Sequence, residues 1–128
     1  MTVFPFDGER GPIFVRASAS GPIESAELLL LLDTGASMTS LRAETLIHLG
    51  YAPDHSDETV QIVSVNSVTQ QAVVRINRLS ALGVHRLGIP VVSQQFPDEI
   101  EFDGVIGLDF FRDRKLTIDF RAGQLTLE

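Results

Sequence analysis

The sequence of 128 residues contains no cysteine, which excludes disulfide bonds and thiol chemistry but leaves the cellular compartment open. No apolar run approaches the roughly 20 residues that a membrane-spanning helix needs. An excess of basic residues is also missing, because the formal net charge is −7. Nucleic acid and anionic membranes are therefore poor partners for this chain.

The first residues lack the basic region and long apolar segment of a secretory signal, so we expect a cytoplasmic protein. Hydrophobic residues make up 44% of the chain, which is enough to form a packed core. No repeat, linker or low-complexity tract interrupts the sequence. This length and composition predict a single domain over residues 1–128.

An acidic motif at residues 33–36, Asp-Thr-Gly-Ala, directly follows five leucines at residues 28–32. Burying a carboxylate among apolar side chains costs free energy unless hydrogen bonds stabilise its charge. Gly35 permits close approach of another chain, and the Thr34 hydroxyl can orient a carboxylate. The pattern indicates that Asp33 is a catalytic group at the end of a buried strand. The alternative is a turn that only ends a core strand.

Most of the remaining chain is typical of short strands bounded by turn residues. We predict strands over residues 1–6, 12–17, 26–32, 59–65, 71–82, 84–93, 116–120 and 124–127. Pro90 places the strand 84–93 at a sheet edge. A helix is predicted over residues 41–49, capped by Thr39 or Ser40 and ended by Gly50. A second helical segment is predicted over residues 108–114.

The motif at residues 33–36 is followed, about seventy residues later, by Gly-Val-Ile-Gly-Leu-Asp-Phe-Phe at residues 104–111. Together with their strand context, the order and spacing of the two motifs resemble the single-domain aspartic proteases of retropepsin type, both retroviral and bacterial. The resemblance implies an all-β, retropepsin-like acid protease barrel with one or two short helices. It also implies a homodimer, since the chain carries one Asp-Thr-Gly and is too short for a two-lobed enzyme.

The resemblance further implies which residues form the active site. Asp33 from two subunits forms a carboxylate dyad that activates water and needs no metal or other cofactor. Thr34 hydrogen-bonds across the dimer, and Gly35 lies close to the substrate backbone. Ala36 and Val105 line central subsites and make them apolar.

In the same family, a hairpin flap covers the substrate, and residues 62–68 correspond to it here. The substrate-binding residues expected from this hairpin are Val63, Ser64, Val65 and Asn66. Retroviral flaps are usually rich in glycine, whereas residues 59–82 contain none. Asn66 can adopt the left-handed turn conformation instead, which predicts a stiffer hairpin.

A second departure concerns an ion pair that retroviral enzymes form between an acid after the first motif and an arginine after the second. Ser37 and Leu108 stand at those positions, so both partners of the pair are replaced together. This predicts a differently built dimer contact. The helix after Ser40 is also longer than in retroviral enzymes and is more similar to that of bacterial and cellular relatives.

Other candidate residues have weaker signals. His48, His55 and His85 lack the spacing of metal ligands, so we expect surface or core positions and no metal site. Asp109 is expected to cap or support the late helix, and Asp119 to face solvent or a basic neighbour.

The sequence therefore predicts a homodimeric aspartic endopeptidase that acts on a peptide or protein substrate. One alternative is a dimeric peptide-binding or scaffolding domain of the same fold with weak catalysis. Another is a monomeric β-barrel in which Asp33 only ends a strand.

Overall fold

A computed structural model describes residues 2–128 and is built mainly from β-strands. Within this range the chain forms twelve strands, one α-helix and two short 3₁₀ helices. In chain order these are β1 (Thr2–Pro5), β2 (Phe14–Ser20), β3 (Ser25–Leu32), β4 (Ser40–Arg42), α1 (Ala43–Leu49), a 3₁₀ helix (Pro53–His55), β5 (Thr59–Val63), β6 (Val68–Arg75), β7 (Arg78–Ala81), β8 (Val84–Leu87), β9 (Pro90–Gln94), β10 (Gly104–Ile106), a 3₁₀ helix (Leu108–Phe111), β11 (Leu116–Asp119) and β12 (Gln124–Leu127).

The strands form two sheets over one hydrophobic core. Nine strands form the larger sheet in the order β5-β6-β9-β4-β10-β3-β2-β7-β8, and three form the smaller sheet in the order β1-β12-β11. The core cluster includes Leu30 and Ile106 of the larger sheet, Leu125 of the smaller sheet, and Phe110. The pairings leave β5 and β8 at the ends of the larger sheet, and closure into a barrel stays a prediction.

The centre of the larger sheet places the two motifs of the sequence side by side. Strands β3 and β10 run parallel, with Leu30 opposite Gly104 and Leu32 opposite Ile106. The carboxyl ends of parallel neighbours meet at the same edge of a sheet. The loop that begins at Asp33 and the turn that begins at Gly107 therefore emerge together.

An unbroken apolar run such as residues 28–32 is typical of a strand buried on both faces, but only one face of β3 is fully buried. Leu28 and Leu30 are buried, at 5% and 0% exposure, whereas Leu29, Leu31 and Leu32 are half-buried. Side chains alternate between the two faces of a strand. One face of β3 therefore belongs to the core, and the other is only partly covered.

The predicted helix 41–49 begins later than expected. Ser40 and Leu41 belong to β4, which pairs with β9 on one side and with β10 on the other. The helix starts at Ala43, and no side chain caps it, so the predicted caps at Thr39 and Ser40 are wrong. Its end is confirmed, since Gly50 has a φ of 108° and donates its backbone N–H to the Ile47 carbonyl.

Two long predicted strands are each divided in two. Residues 84–93 form β8 and β9, and β9 lies inside the sheet between β6 and β4, so the predicted edge position of Pro90 is wrong. Pro90 is the first residue of β9, where a missing N–H is tolerated. Residues 71–82 divide at Ile76 and Asn77, where the chain passes from β6 to β7.

The hairpin predicted around residues 62–68 is present, and the last two predicted strands pair with each other as well. β5 pairs with β6 in antiparallel register, and β11 pairs with β12. The smaller sheet also includes β1, whose Phe4 lies opposite Leu125. The predicted late helix 108–114 is shorter than expected, a 3₁₀ helix over Leu108–Phe111.

Candidate active site

The loop after β3 holds the Asp33 carboxylate through its own backbone. The Asp33 N–H donates to the Ile106 carbonyl at 3.1 Å, which extends the β3–β10 pairing to the start of the loop. The Gly35 N–H donates to Asp33 Oδ1 at 2.9 Å, and the Ala36 N–H donates to the Asp33 carbonyl at 3.1 Å. The half-buried side chain is thus oriented by the turn that follows it.

The second motif is fastened to the first by close backbone contact. The Leu108 N–H donates to the Ala36 carbonyl at 2.8 Å. A Cβ atom on Gly107 would lie 2.7 Å from the Ala36 carbonyl oxygen and 2.8 Å from that of Met38. Such distances are far inside van der Waals contact, so only glycine fits between the two segments.

A buried side-chain network reinforces this contact, and sequence reasoning missed it. Thr39 is fully buried, and its Oγ1 donates to Asp109 Oδ1 at 2.8 Å. The Thr39 N–H donates to the same oxygen at 3.0 Å, and the Gly107 N–H donates to Thr39 Oγ1 at 3.1 Å. Asp109 Oδ2 is buried and has no hydrogen-bond partner within residues 2–128. Asp109 therefore supports the segment after the first motif and does not cap a helix.

A cleft of about 470 Å³ lies over the Asp33 loop. It is lined by residues of the Asp33 loop and of the strands β4, β5, β9 and β10: Asp33, Gly35, Ala36, Ser37, Met38, Ser40, Gln61, Ile62, Val63, Val92, Gln94 and Val105.

The cleft contains some of the residues expected at the site and adds others. Five expected residues line it: Asp33, Gly35, Ala36, Val63 and Val105. Thr34 is exposed beside it, and residues 64–66 form the turn at the hairpin tip, outside the lining.

Sequence reasoning missed the polar part of the lining, which includes Ser40, Gln61 and Gln94. The alternation of β5 was a usable signal for Gln61, since Val63 lies on the same face of that strand. Ser40 carried no such signal, because its segment was assigned to a helix.

The hairpin above the cleft turns without glycine and without left-handed backbone. The Ser64 N–H donates to the Ser67 carbonyl at 2.9 Å, and the two serine hydroxyls lie 2.8 Å apart. Asn66 does not have a positive φ, so its predicted left-handed conformation is wrong. Val65 at the tip is fully exposed.

The acidic loop after β9 is anchored by Arg42. The guanidinium of Arg42 donates to the carbonyls of Phe102 at 3.1 Å and of Ile100, and it lies 5.3 Å from the ring centre of Phe96. Asp103 Oδ2 accepts the Leu29 N–H at 2.8 Å. These contacts hold the loop in place next to the cleft residues of β9.

The remaining candidates lie elsewhere. His48 is 3.7 Å from Glu24, and His85 Nδ1 is 2.6 Å from the Ser80 hydroxyl. Asp119 Oδ1 accepts the Ala122 N–H in the terminal hairpin. Among residues 2–128, no group of three or more histidine or acidic side chains is arranged to hold a metal ion. No helix in that range is long and apolar enough to cross a membrane.

Comparison with known proteins agrees with this geometry. The family model described as aspartyl protease matches residues 19–110, which is most of the chain. The fold is similar to the crystal structure of a retropepsin-like aspartic protease from Rickettsia conorii, with a TM-score of 0.71 at 19% sequence identity. That match covers 98% of this chain and 87% of the other. No curated protein matches the sequence significantly. The chain therefore belongs to the aspartyl protease family and has a retropepsin-like fold.

Proposed function

We propose that this protein is an aspartic endopeptidase whose catalytic dyad consists of Asp33 from two copies of the chain. The observation that carries the proposal is the half-buried Asp33 carboxylate under the cleft, with Oδ1 held by the Gly35 N–H at 2.9 Å. The chain contains one Asp-Thr-Gly, so a two-carboxylate site requires a second subunit.

A dimer of this kind would give contacts to two exposed side chains near Asp33 that have few contacts within one subunit. Thr34 is exposed, and its hydroxyl makes no hydrogen bond inside the described chain. Leu108, whose N–H donates to the Ala36 carbonyl of the same loop, is 47% exposed. In a symmetric pair these residues would meet their counterparts near the two-fold axis, since both adjoin the Asp33 loop.

Because a single core cluster includes residues of both sheets, we treat residues 1–128 as one domain per subunit.

The chemistry follows from two adjacent carboxylates that share one proton. The ionised Asp33 removes a proton from water while the oxygen of that water attacks the carbonyl carbon of the peptide bond. The protonated Asp33 donates its proton to the carbonyl oxygen, which gives a neutral diol. In the collapse of the diol, one hydroxyl gives its proton to the ionised Asp33 as the carbon–nitrogen bond breaks, and the protonated Asp33 donates its proton to the amine nitrogen, so the dyad again holds one proton. The products are a carboxylic acid and an amine.

Two groups of residues would bind the peptide. Gly35, Ala36 and Val105 line the cleft next to the dyad, and Val63 lines it from the hairpin. We assign the exposed hairpin tip, Ser64, Val65 and Asn66, to the part that would close over the substrate backbone.

The test is digestion of a diverse peptide mixture, read by mass spectrometry, from about pH 4 to about pH 8. Wild type should cut between a restricted set of residues and act best in mildly acidic solution, where the dyad keeps its shared proton. The Asp33→Asn variant should remain folded and lose roughly 10²-fold to 10⁴-fold in rate. Cleavage that survives this substitution would contradict the proposal.

Dilution tests the dimer separately. Specific activity should fall as subunits dissociate, and the mass in solution should fall in parallel. Activity that is constant while the protein becomes monomeric would contradict the shared dyad.

A second candidate function is a peptide-binding domain of the same fold with little catalysis. The serine-paired, glycine-free hairpin turn favours it, because a stiff flap slows exchange of substrate and product. Peptides that bind wild type and the Asp33→Asn variant equally and are never cut would establish this function.

A further inference from the structure

Three strands around the cleft each contribute a polar, uncharged side chain to its lining: Ser40, Gln61 and Gln94. Ser40 of β4 lies opposite Val92 of β9 and Val105 of β10, so these three neighbouring strands all contribute to the cleft lining. Gln94 lies two residues after Val92 and therefore on the same face of β9. Gln61 lines the cleft from the hairpin side.

The hydroxyl of Ser40 is costly to leave without a hydrogen bond. Ser40 is only 5% exposed, and within residues 2–128 its hydroxyl makes no hydrogen bond, but it is not among the buried unpaired atoms and so still reaches water in the cleft. The side-chain amides of Gln61 and Gln94 likewise have none in that range. A water in the cleft can satisfy these groups, and a ligand that displaces it must reproduce its hydrogen bonds. An apolar side chain that displaces this water would leave the Ser40 hydroxyl buried without a hydrogen bond, which costs free energy.

The charges around this position select among polar ligands. Asp33 is the one charged side chain among the lining residues, so an acidic ligand would meet a carboxylate and no cation. A carboxamide is neutral, and it offers both a donor and an acceptor to serine and glutamine partners. The side chains of glutamine and asparagine carry this group.

We propose that Ser40, with Gln94 and Gln61, forms a subsite that selects a glutamine or asparagine side chain next to the scissile bond. This inference rests on the proposed protease function, and it makes Ser40 the residue that sets the specificity. It also revises the expectation that the subsites near Ala36 and Val105 are purely apolar.

The test uses three peptides that differ at one position, which holds Gln, Met or Glu. Met and Glu match Gln in length but lack its carboxamide. The position is moved along both sides of a bond that the enzyme cuts. For wild type, kcat/KM should favour Gln over Met by about tenfold at one position and should be lowest for Glu. Equal values, or a preference for Met, at every position would overturn the inference.

Two serine variants test whether Ser40 causes the preference for Gln over Met. Ser40→Ala should reduce the ratio of Gln to Met to about twofold or less, mainly by improving the Met peptide. Ser93→Ala is the matched control, because Ser93 is 7% exposed but lies opposite the core residue Leu41. It should leave the ratio unchanged. An unaltered ratio in folded Ser40→Ala would overturn the role of Ser40.

A binding measurement separates this inference from the protease function. The Asp33→Asn variant is titrated with labelled alanine-rich peptides of about eight residues that carry Gln, Met or Glu at the centre. If wild type cleaves nothing, the protease function fails, and tighter binding of the Gln peptide would still support the subsite. Equal binding of the Gln and Met peptides would overturn it.

Discussion

The cleft has a floor, formed by the two motif segments 33–40 and 104–109, and a roof, the β5–β6 hairpin. The two are stabilised in different ways. In the floor, buried Thr39 links Asp109 to the Gly107 backbone, and the Leu108 N–H reaches the Ala36 carbonyl. In the roof, the hairpin turn is held by the exposed pair Ser64 and Ser67. Buried hydrogen bonds are costly to break, whereas exposed ones compete with water. Substitutions in the floor should therefore lower the free energy of unfolding more than substitutions in the roof.

The largest expected loss of stability comes from a substitution in the floor of the cleft. Gly107→Ala places a Cβ atom 2.7 Å from the Ala36 carbonyl oxygen, so the two motif loops must separate. We expect a loss of about 3 kcal/mol in the free energy of unfolding, together with loss of activity. Gly11→Ala is the control, because nothing lies within 4 Å of its Cβ position. Chemical denaturation measures both variants. Equal stability of the two would contradict close packing at Gly107.

A smaller effect is expected from the buried network. Thr39→Val keeps the shape of the side chain but removes the donor to Asp109 and the acceptor for the Gly107 N–H. Unpaired buried groups should lower the free energy of unfolding by about 2 kcal/mol. Thr117→Val, at an exposed position of β11, should change it by less than about 0.5 kcal/mol. Thermal melts compare the pair, and a Thr39→Val variant as stable as wild type would show that the network contributes little.

The smallest effect on stability is expected in the roof. Ser67→Ala removes the exposed hydroxyl pair of the turn, and the free energy of unfolding should change by less than about 0.5 kcal/mol. KM for a cleaved peptide should nevertheless shift, because the hairpin would cover the substrate. Ser25→Ala removes a comparable exposed pair with Ser20, away from the cleft, and should alter neither quantity. If both variants have the same KM as wild type, the hairpin turn does not contribute to substrate binding.

Local signals in the sequence predicted the elements whose causes are local. The end of the helix at Gly50 needs only a residue that tolerates a φ of 108°, and the terminal hairpin needs only alternation around a turn. The strand over Ser40–Arg42 had no such signal. It exists because β9 and β10 flank it, and tertiary pairing overrides its helical pattern.

The same distinction applies to the site. The sequence alone determined that Asp33 ends an apolar strand and that a second glycine-bounded strand follows, because hydrophobic runs and turns are written in neighbouring residues. Only the tertiary structure decided that Thr39 meets Asp109, and that Ser40 lies buried in the cleft floor. These contacts join residues far apart in the chain, so they depend on which strands become neighbours in the sheet.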